Sequence, residues 1–535
     1  MLTEDLTTRT AGRCVHLLSR SDAPEHVRTL TSHSVLQVED ELVRRLAARA
    51  ENRSAMRPVG QVVAGQQLDR TQQVAVALLV GTAPLLVVEG AAGTGKTNAL
   101  AATRRVLEAW SHRLVVVTPT LKAARDAEQQ VGGEAFSAAW LIHQHGYRWD
   151  EDGHWVRVAA EPAPEARLRP GDLLLVDEAG MLDQDTALAL LTIADEAGAR
   201  IGFAGDRHQL PAVGRGGVLD HATRWCRPEA RVELETLHRF RDPEYAVLSL
   251  LMRTGERPGE VFDALVQRGE IVVHPSEAQR QNALSSLTTG LTTGLTGELT
   301  VGAAGGATEM AGLVIADTRE QVTRLNAAIR DHRLTMSAAS DGRVVTTAAG
   351  EQLGVGDRVA TRRNDRDVGV ANRDRWTITH VQADGGLQVL GPTGHRALPA
   401  GYVHQHVELA YATTAHGAQG ETIDTAHLVV GESTGAAAAY VGMTRGRQRN
   451  IAHLVADTLD EAKEQWVQVF GRGRADLGPR HAKNTALEDI DRYGIALQRL
   501  ALQPTASTDH PRRHPQERNP YYPGRTSPDA PGIGR

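Results

Sequence analysis

A chain of 535 residues, 41% hydrophobic and 23% charged, is long enough for roughly three or four domains and has the balance of a globular protein. The formal charge of −6 excludes no nucleic-acid role, because a negative overall balance coexists readily with a basic groove. Two cysteines, Cys14 and Cys226, exclude a disulfide scaffold and a cysteine metal knuckle.

Residues 1–67 are polar, with an amphipathic helix expected over Val35 to Ala50. From Leu68 to about Arg227, apolar strands at 85–89, 114–118, 173–177 and 201–204 alternate with helices, which predicts a mainly parallel sheet. The longest uncharged stretch, Val74 to Val88, is broken by Gly81, Thr82 and Pro84 and is too short to span a bilayer. With no leader at the start of the chain, no membrane insertion and a cytoplasmic location are expected. The first strand runs into Gly90-Ala91-Ala92-Gly93-Thr94-Gly95-Lys96-Thr97 and then into a helix. Strand, glycine loop and helix in that order make a phosphate cradle, since inward N–H groups and the helix N-terminus both favour anions. Lys96 is expected on the β/γ-phosphates of ATP and the Thr97 hydroxyl on Mg²⁺.

The strand Leu173 to Val176 ends in Asp177 and Glu178. Beside a phosphate loop, Asp177 is placed to hold the Mg²⁺ shell and Glu178 to orient and deprotonate the attacking water. Phe203-Ala204-Gly205-Asp206-Arg207-His208-Gln209-Leu210-Pro211 follows as another strand and turn. A second βα series runs from about 232 to 332, with strands near Val232 and over 313–316, and contains a Thr/Gly/Leu-rich surface connection at 285–308. Residues 341–405 change to short strands separated by Gly, Asp and Asn turns, a small β-barrel insertion. The βα pattern returns at 406–456; after Gly471 the chain is rich in Arg, Pro and Gly, with a helix expected at 485–502 and disorder over 504–535.

The ordered set of motifs over about 68–456 resembles superfamily 1B helicases of the RecD-like group, nearest to the helicase half of conjugative relaxase–helicases of the MobF, TraA/TraI type. Leu68-Asp69-Arg70-Thr71-Gln72 is similar to the adenine-reading Q motif, and Thr118-Pro119-Thr120-Leu121-Lys122 to the motif that lines the single-strand channel. Gln209 takes the place of the γ-phosphate-sensing glutamine. Leu237-His238-Arg239-Phe240 is similar to motif IV, whose arginine faces the γ-phosphate from the second domain. Thr414-Ala415-His416-Gly417-Ala418-Gln419-Gly420 is similar to motif V, and Tyr440 to Arg447 to motif VI with Arg445 as the finger. The resemblance implies an α/β fold of two RecA-like P-loop domains with mainly parallel sheets, at 68–227 and at 228–340 with 406–470. It also implies an SH3-like β insertion at 341–405 lying against DNA; outside the resemblance, the residues themselves predict a helical region at 1–67 and a largely disordered tail at 471–535.

The same resemblance implies an ATP- and Mg²⁺-dependent 5′→3′ helicase or translocase in conjugation or repair. It would act as a monomer on single-stranded DNA and forks, with the conjugation machinery as a further partner. Thr118, Thr120, Thr414 and His416 are carried over as DNA contacts. Three departures stand out: Ala212 where motif III, the segment from Phe203 to Gly214 that carries Gln209, usually has a second proline; Gly417 where motif V often has a basic residue; and Ser137 to Trp140, which fit the family's Thr-containing motif Ib poorly. Only 67 residues precede the Q motif and no three-histidine cluster occurs, so DNA nicking is not expected. The insertion arginines Arg358, Arg362, Arg363, Arg366, Arg373 and Arg375 form either a DNA-facing surface or, with the aspartates between them, an ordinary mixed-charge one. His143 and His145 lack a third ligand in spacing, and Trp140, Trp149 and Trp155 read as core packing before base stacking. A DNA-binding ATPase adaptor without unwinding activity and an RNA helicase are the alternatives.

Overall fold

The computed structural model describes residues 14–18, 30–52, 68–150, 155–289, 312–336, 342–472 and 477–490. Six parallel strands make the first sheet: β1 (Leu85–Gly90), β2 (Leu114–Thr118), β3 (Ala135–Ser137), β4 (Leu173–Val176), β5 (Arg200–Gly205) and β6 (Arg231–Leu234), in the order β6-β1-β5-β4-β2-β3. Its central strands read as unbroken apolar runs because helices cover both faces, and β1, β2 and β4 are buried at every residue. The helices are cut where side-chain caps permit. Asp69 closes a capping box with Gln72 at the start of α2 (Arg70–Val80), and Thr120 caps α4 (Leu121–Val131), with α3 (Lys96–Ala109) between them. The expected N-terminal helix is present as α1 (His33–Glu51), packed on this lobe.

The second sheet is also all parallel, built from β7 (Ile271–His274), β8 (Leu313–Ala316), β14 (Ala412–Thr414), β15 (Ile423–Val429) and β16 (Gly446–Val455), in the order β7-β16-β15-β8-β14. Helices α5 (Pro243–Thr254) and α6 (Ala436–Gly442) pack with it in one core that includes Tyr245, Met252, Tyr440 and Trp466. Between β8 and β14 lies an antiparallel sheet of β9 (Arg358–Thr361), β10 (Arg375–Val381), β11 (Leu387–Gly391), β12 (Gly394–Leu398) and β13 (Val407–Leu409), ordered β12-β11-β10-β9-β13. Its core residues Val359, Trp376, Ile378 and Val389 merge with Val314 and Ile329, so the insertion is packed onto the second lobe.

Two boundaries differ from the sequence expectation. Arg231–Leu234 does not open the second sheet but pairs in parallel with β1 as an edge strand of the first. Val407–Leu409 pairs antiparallel with β9, so the insertion reaches beyond 405. Both are short strands whose partners are remote in sequence, which local pattern does not reveal. The expected helix at 485–502 is seen as α7 (Pro479–Asp489); its remainder, residues 290–308 of the Thr/Gly-rich connection and the tail expected to be disordered lie outside the described residues. Among the described residues, no helix is long and apolar enough to cross a membrane.

Candidate active site

The chain leaves β1 at Gly90 and turns through Gly93 (φ +90°) and Gly95 (φ +74°) before α3 begins at Lys96. A Cβ at Gly93 would lie 2.4 Å from Arg239 Cβ, and one at Gly95 2.4 Å from Gln72 Nε2, so both glycines are required by space as well as by φ. Gly95, Lys96, Thr97 and Asn98 at the start of α3 line a cleft, so a helix N-terminus opens onto it, an arrangement that draws an anion. Lys96 Nζ donates to Gly90 O at 2.8 Å, lying back along the loop. Gln72 is buried, donates through Nε2 to Thr94 O at 3.0 Å and accepts from Asp69 N at 3.2 Å. Both ends of its amide are therefore spent on protein. In this conformation it braces the phosphate loop, which differs from the adenine-reading role the resemblance implies.

Because β1, β5 and β4 are neighbours, their C-terminal ends stand side by side. That juxtaposition gathers the phosphate loop, Gln209 and the acid pair. Burial and the adjacent Glu178 push the Asp177 carboxyl up to about 6. Glu178 sits at φ +54°, a left-handed backbone that costs a non-glycine residue about 1–3 kcal/mol. Its Oε2 accepts from Gln419 Nε2 of the second lobe at 3.1 Å. Gln209 is buried, with Nε2 3.4 Å from Asp206 Oδ2.

Asp206 is the hub that the motif analysis passed over. It is buried and accepts from His208 N at 3.1 Å, Arg253 Nε at 3.0 Å and Tyr440 Oη at 3.0 Å. Burial alone would raise its carboxyl, but Arg253 and Lys96 outweigh it and hold the group below the usual range. The Tyr440 oxygen in turn accepts from Ala92 N at 3.0 Å. A hydrogen-bonded chain thus runs from the phosphate loop through Tyr440 of the second lobe and back to the turn carrying Gln209.

Both arginines are present, one by an unexpected route. Arg239 follows β6 of the first sheet, where His238 N donates to Gly93 O at 2.8 Å, and its guanidinium reaches Thr444 O at 2.8 Å. Burial and the nearby Arg445 lower its pKa to about 9. Arg445 is 1% exposed and donates to Val441 O, Glu421 O and Thr444 Oγ1 at 2.9, 3.3 and 3.1 Å. These acceptors are neutral, so its charge is not cancelled by a bonded carboxylate, and burial lowers its pKa as well. Lys96, Thr97, Asp177, Glu178, Gln209, Arg239 and Arg445 all line one cleft of ≈ 880 Å³. A carboxyl pushed upward wants a cation, and two arginines pushed downward want an anion. The residues fit a polyphosphate with a divalent ion.

The same cleft continues past Thr120, Lys122, Asn364, Asn372, Arg373 and His416. Thr120 is exposed there, capping α4 by accepting from Ala123 N at 3.2 Å. Thr118 is not: it is buried, and its hydroxyl donates to Thr120 O at 2.8 Å, so it shapes the turn. Thr414 accepts from Gly417 N at 3.2 Å and caps a short helix behind the cleft wall. His416 is half-buried; burial holds its pKa down against a hydrogen bond to the Pro211 backbone. Across the cleft, Lys122 pairs with Glu421 at 2.5 Å, Arg375 with Glu421 at 2.9 Å and Arg125 with Asp374 at 3.0 Å, tying α4 to motif V and the insertion. Trp140 stacks on Phe136 and packs against the first-lobe core, as expected, whereas Trp149 is 55% exposed and stacks on Trp155 at 4.1 Å. His145 bonds Ala166 O, and no group of three metal-capable side chains occurs among the described residues.

The chain is similar to several known proteins. An AAA domain family matches residues 67–276. Conjugal transfer protein TraA of Rhizobium radiobacter is 24% identical over 390 residues, which is 72% of this chain and 32% of the relative. The ATP-dependent RecD2 DNA helicase of Deinococcus radiodurans is 34% identical over 132 residues, 25% of this chain and 17% of the relative. The solved structure of Bacteroides Pif1 bound to ssDNA aligns with a TM-score of 0.48 at 18% identity, covering 74% of this chain and 94% of that one. The chain spans about a third of the length of the TraA relatives it matches.

Proposed function

We propose, from the premise that the chain is a superfamily 1B helicase related to the conjugal transfer protein TraA, that it hydrolyses ATP to move 5′→3′ along single-stranded DNA and to open duplex at forks. The observation that carries this reading is a single cleft with Lys96, Asp177, Glu178 and Gln209 on one wall and Gln419 and Arg445 on the other. ATP held there straps the lobes together. Lys96 and the N–H groups of the loop hold the phosphates, and Glu178, steadied by Gln419, accepts a proton from the attacking water. A magnesium ion at Thr97 and Asp177 would neutralise charge on the phosphates as they separate. Arg239 and Arg445 meet that charge from two further sides, a contribution that can reach about 10³–10⁵ in turnover for such arginines. Once the γ-phosphate is cleaved, the arginines lose their partner and the strap loosens.

The DNA strand runs through the same cleft, contacting Thr120 and His416 largely by its phosphates and without sequence preference. The protein acts as a cytoplasmic monomer, in conjugative transfer or in repair, on single strands and forks. The test is ATP hydrolysis with and without single-stranded DNA. Turnover rises sharply with DNA and is lost in Lys96→Ala; a wild-type rate indifferent to DNA overturns the reading.

A further inference from the structure

Several cations around the cleft, from the insertion and from α4, are already paired with carboxylates. Arg362 makes a two-point contact with Glu408 at 2.8 and 2.9 Å. Arg375 and Lys122 share Glu421, and burial notwithstanding, those two cations hold the Glu421 carboxyl below its usual range. Arg125 is paired with Asp374. Arg373 differs. Its guanidinium has no hydrogen-bond or ion-pair partner among the described residues, yet it is half-buried and lines the cleft beside His416 and Gly417. It also borders a smaller cavity of ≈ 190 Å³ behind Thr414.

The backbone around Arg373 is built to hold it there. Its φ is +71°, a conformation a non-glycine residue adopts only when its surroundings enforce it. The enforcement is visible on both sides: Thr361 N donates to Asp374 O at 3.1 Å, Ala371 N to Asp374 Oδ2 at 2.6 Å and Asn372 N to Asn364 Oδ1 at 2.8 Å. The space for its head group comes from motif V. A Cβ on Gly417 would lie 2.6 Å from Arg373 Nη1 and 2.2 Å from Thr413 Oγ1. The glycine that looked like a lost basic contact in the sequence is the vacancy into which an arginine from another element fits.

An unpaired guanidinium fixed in a strained turn, half withdrawn from water, is poorly satisfied. Burial is the chief influence lowering its pKa, and neighbouring Arg362 adds to it. An anion arriving in the cleft relieves both. We infer that Arg373 is a backbone-phosphate contact for single-stranded nucleic acid, supplied by the insertion to the floor of the cleft at Gly417. The inference rests on the strand-binding reading above. It adds a contact from the insertion to the cleft that Thr120 and Lys122 also line, and the planar guanidinium suits a phosphate two oxygens at a time.

The experiment is binding of a fluorescent oligothymidylate to the full chain over a range of salt concentrations. Wild type, Arg373→Ala, Arg373→Gly and Arg373→Lys are compared, with thermal melting to establish that each is folded. Glycine tolerates φ +71° without strain, so it separates loss of the side chain from damage to the turn. Arg373→Ala and Arg373→Gly both lose roughly tenfold in affinity at low salt, the scale of one charged hydrogen-bonded contact. Their log-affinity against log-salt slopes flatten by about 0.7, the value of one released counterion on a single strand. Arg373→Lys restores the slope because it keeps the charge, and recovers part of the affinity. Folded Ala and Gly variants with the wild-type slope overturn the inference, even where wild type binds tightly. Absence of binding by wild type instead strikes the strand-binding reading itself.

Discussion

Tyr440 shows how much of this site is made by single hydroxyl and amide groups. Its oxygen takes the Ala92 N–H while its proton goes to Asp206, so one phenol touches the phosphate loop and the Gln209 turn together. Burial, with the Asp206 charge beside it, raises its pKa, so it remains a phenol able to donate. Tyr440→Phe keeps the ring in the core but leaves Ala92 N and Asp206 Oδ2 without that partner. We expect a loss of about 1–3 kcal/mol in stability, measured by denaturant unfolding, together with slower ATP turnover at saturating nucleotide. A variant with wild-type stability and turnover would show the bridge to be idle. That Lys96, Asp177 and Glu178 would meet at one cleft was legible because each stands in a local strand-then-loop context, whereas Gln209 was singled out only through the family resemblance. Tyr440 and Asp206 were quoted within motifs, but their roles were not legible, since a hydroxyl's partner depends on where a segment hundreds of residues away comes to rest. The same reason explains Thr118 and Gln72, whose polar groups turn inward onto neighbours.

At the level of elements, the strands at 85–89, 114–118, 173–177 and 201–204 of the first sheet and 313–316 of the second were readable because a strand covered on both faces is apolar along most of its length. The edge strand β6 was assigned to the wrong sheet because its pairing with β1 leaves no local trace. One arrangement within the second sheet was not foreseen at all. His274, His453 and His427, on the adjacent strands β7, β16 and β15, form a buried chain, Nε2 to Nδ1 at 3.0 Å and Nε2 to Nδ1 at 3.0 Å again. Burial lowers all three, His427 to about 4 and His453 to about 2, with Arg280 and Arg449 nearby adding repulsion and Glu277 opposing it at His274. The rings are neutral in the fold but titrate near 6.5 in the unfolded chain, so the unfolded state binds more protons as pH falls. Their contribution is whole above about pH 6.5 and is lost progressively toward pH 4. Thermal melting between pH 8 and 4.5 should show a decline that is shallower in His453→Gln; identical slopes would contradict the assignment.

Over the whole molecule, the two lobes are joined by more than the nucleotide site. Ala92 and Leu210 of the first lobe are buried in the core of the second, and Lys122 and Arg125 reach the motif V and insertion carboxylates. On another side, the last described helix, α7, returns to α1, where buried Glu39 accepts from Arg480 N at 3.0 Å and bonds His221 Nε2 at 2.9 Å. A cleft closed by such contacts does mechanical work only if ATP turnover reorganises them while DNA is held. The direct measurement is displacement of streptavidin from biotin placed at either end of a single strand, with ATP supplied. A 5′→3′ motor clears the 3′ end and leaves the 5′ end blocked, and Lys96→Ala clears neither. ATP hydrolysis with no displacement at either end, or clearance of the 5′ end alone, would contradict the account.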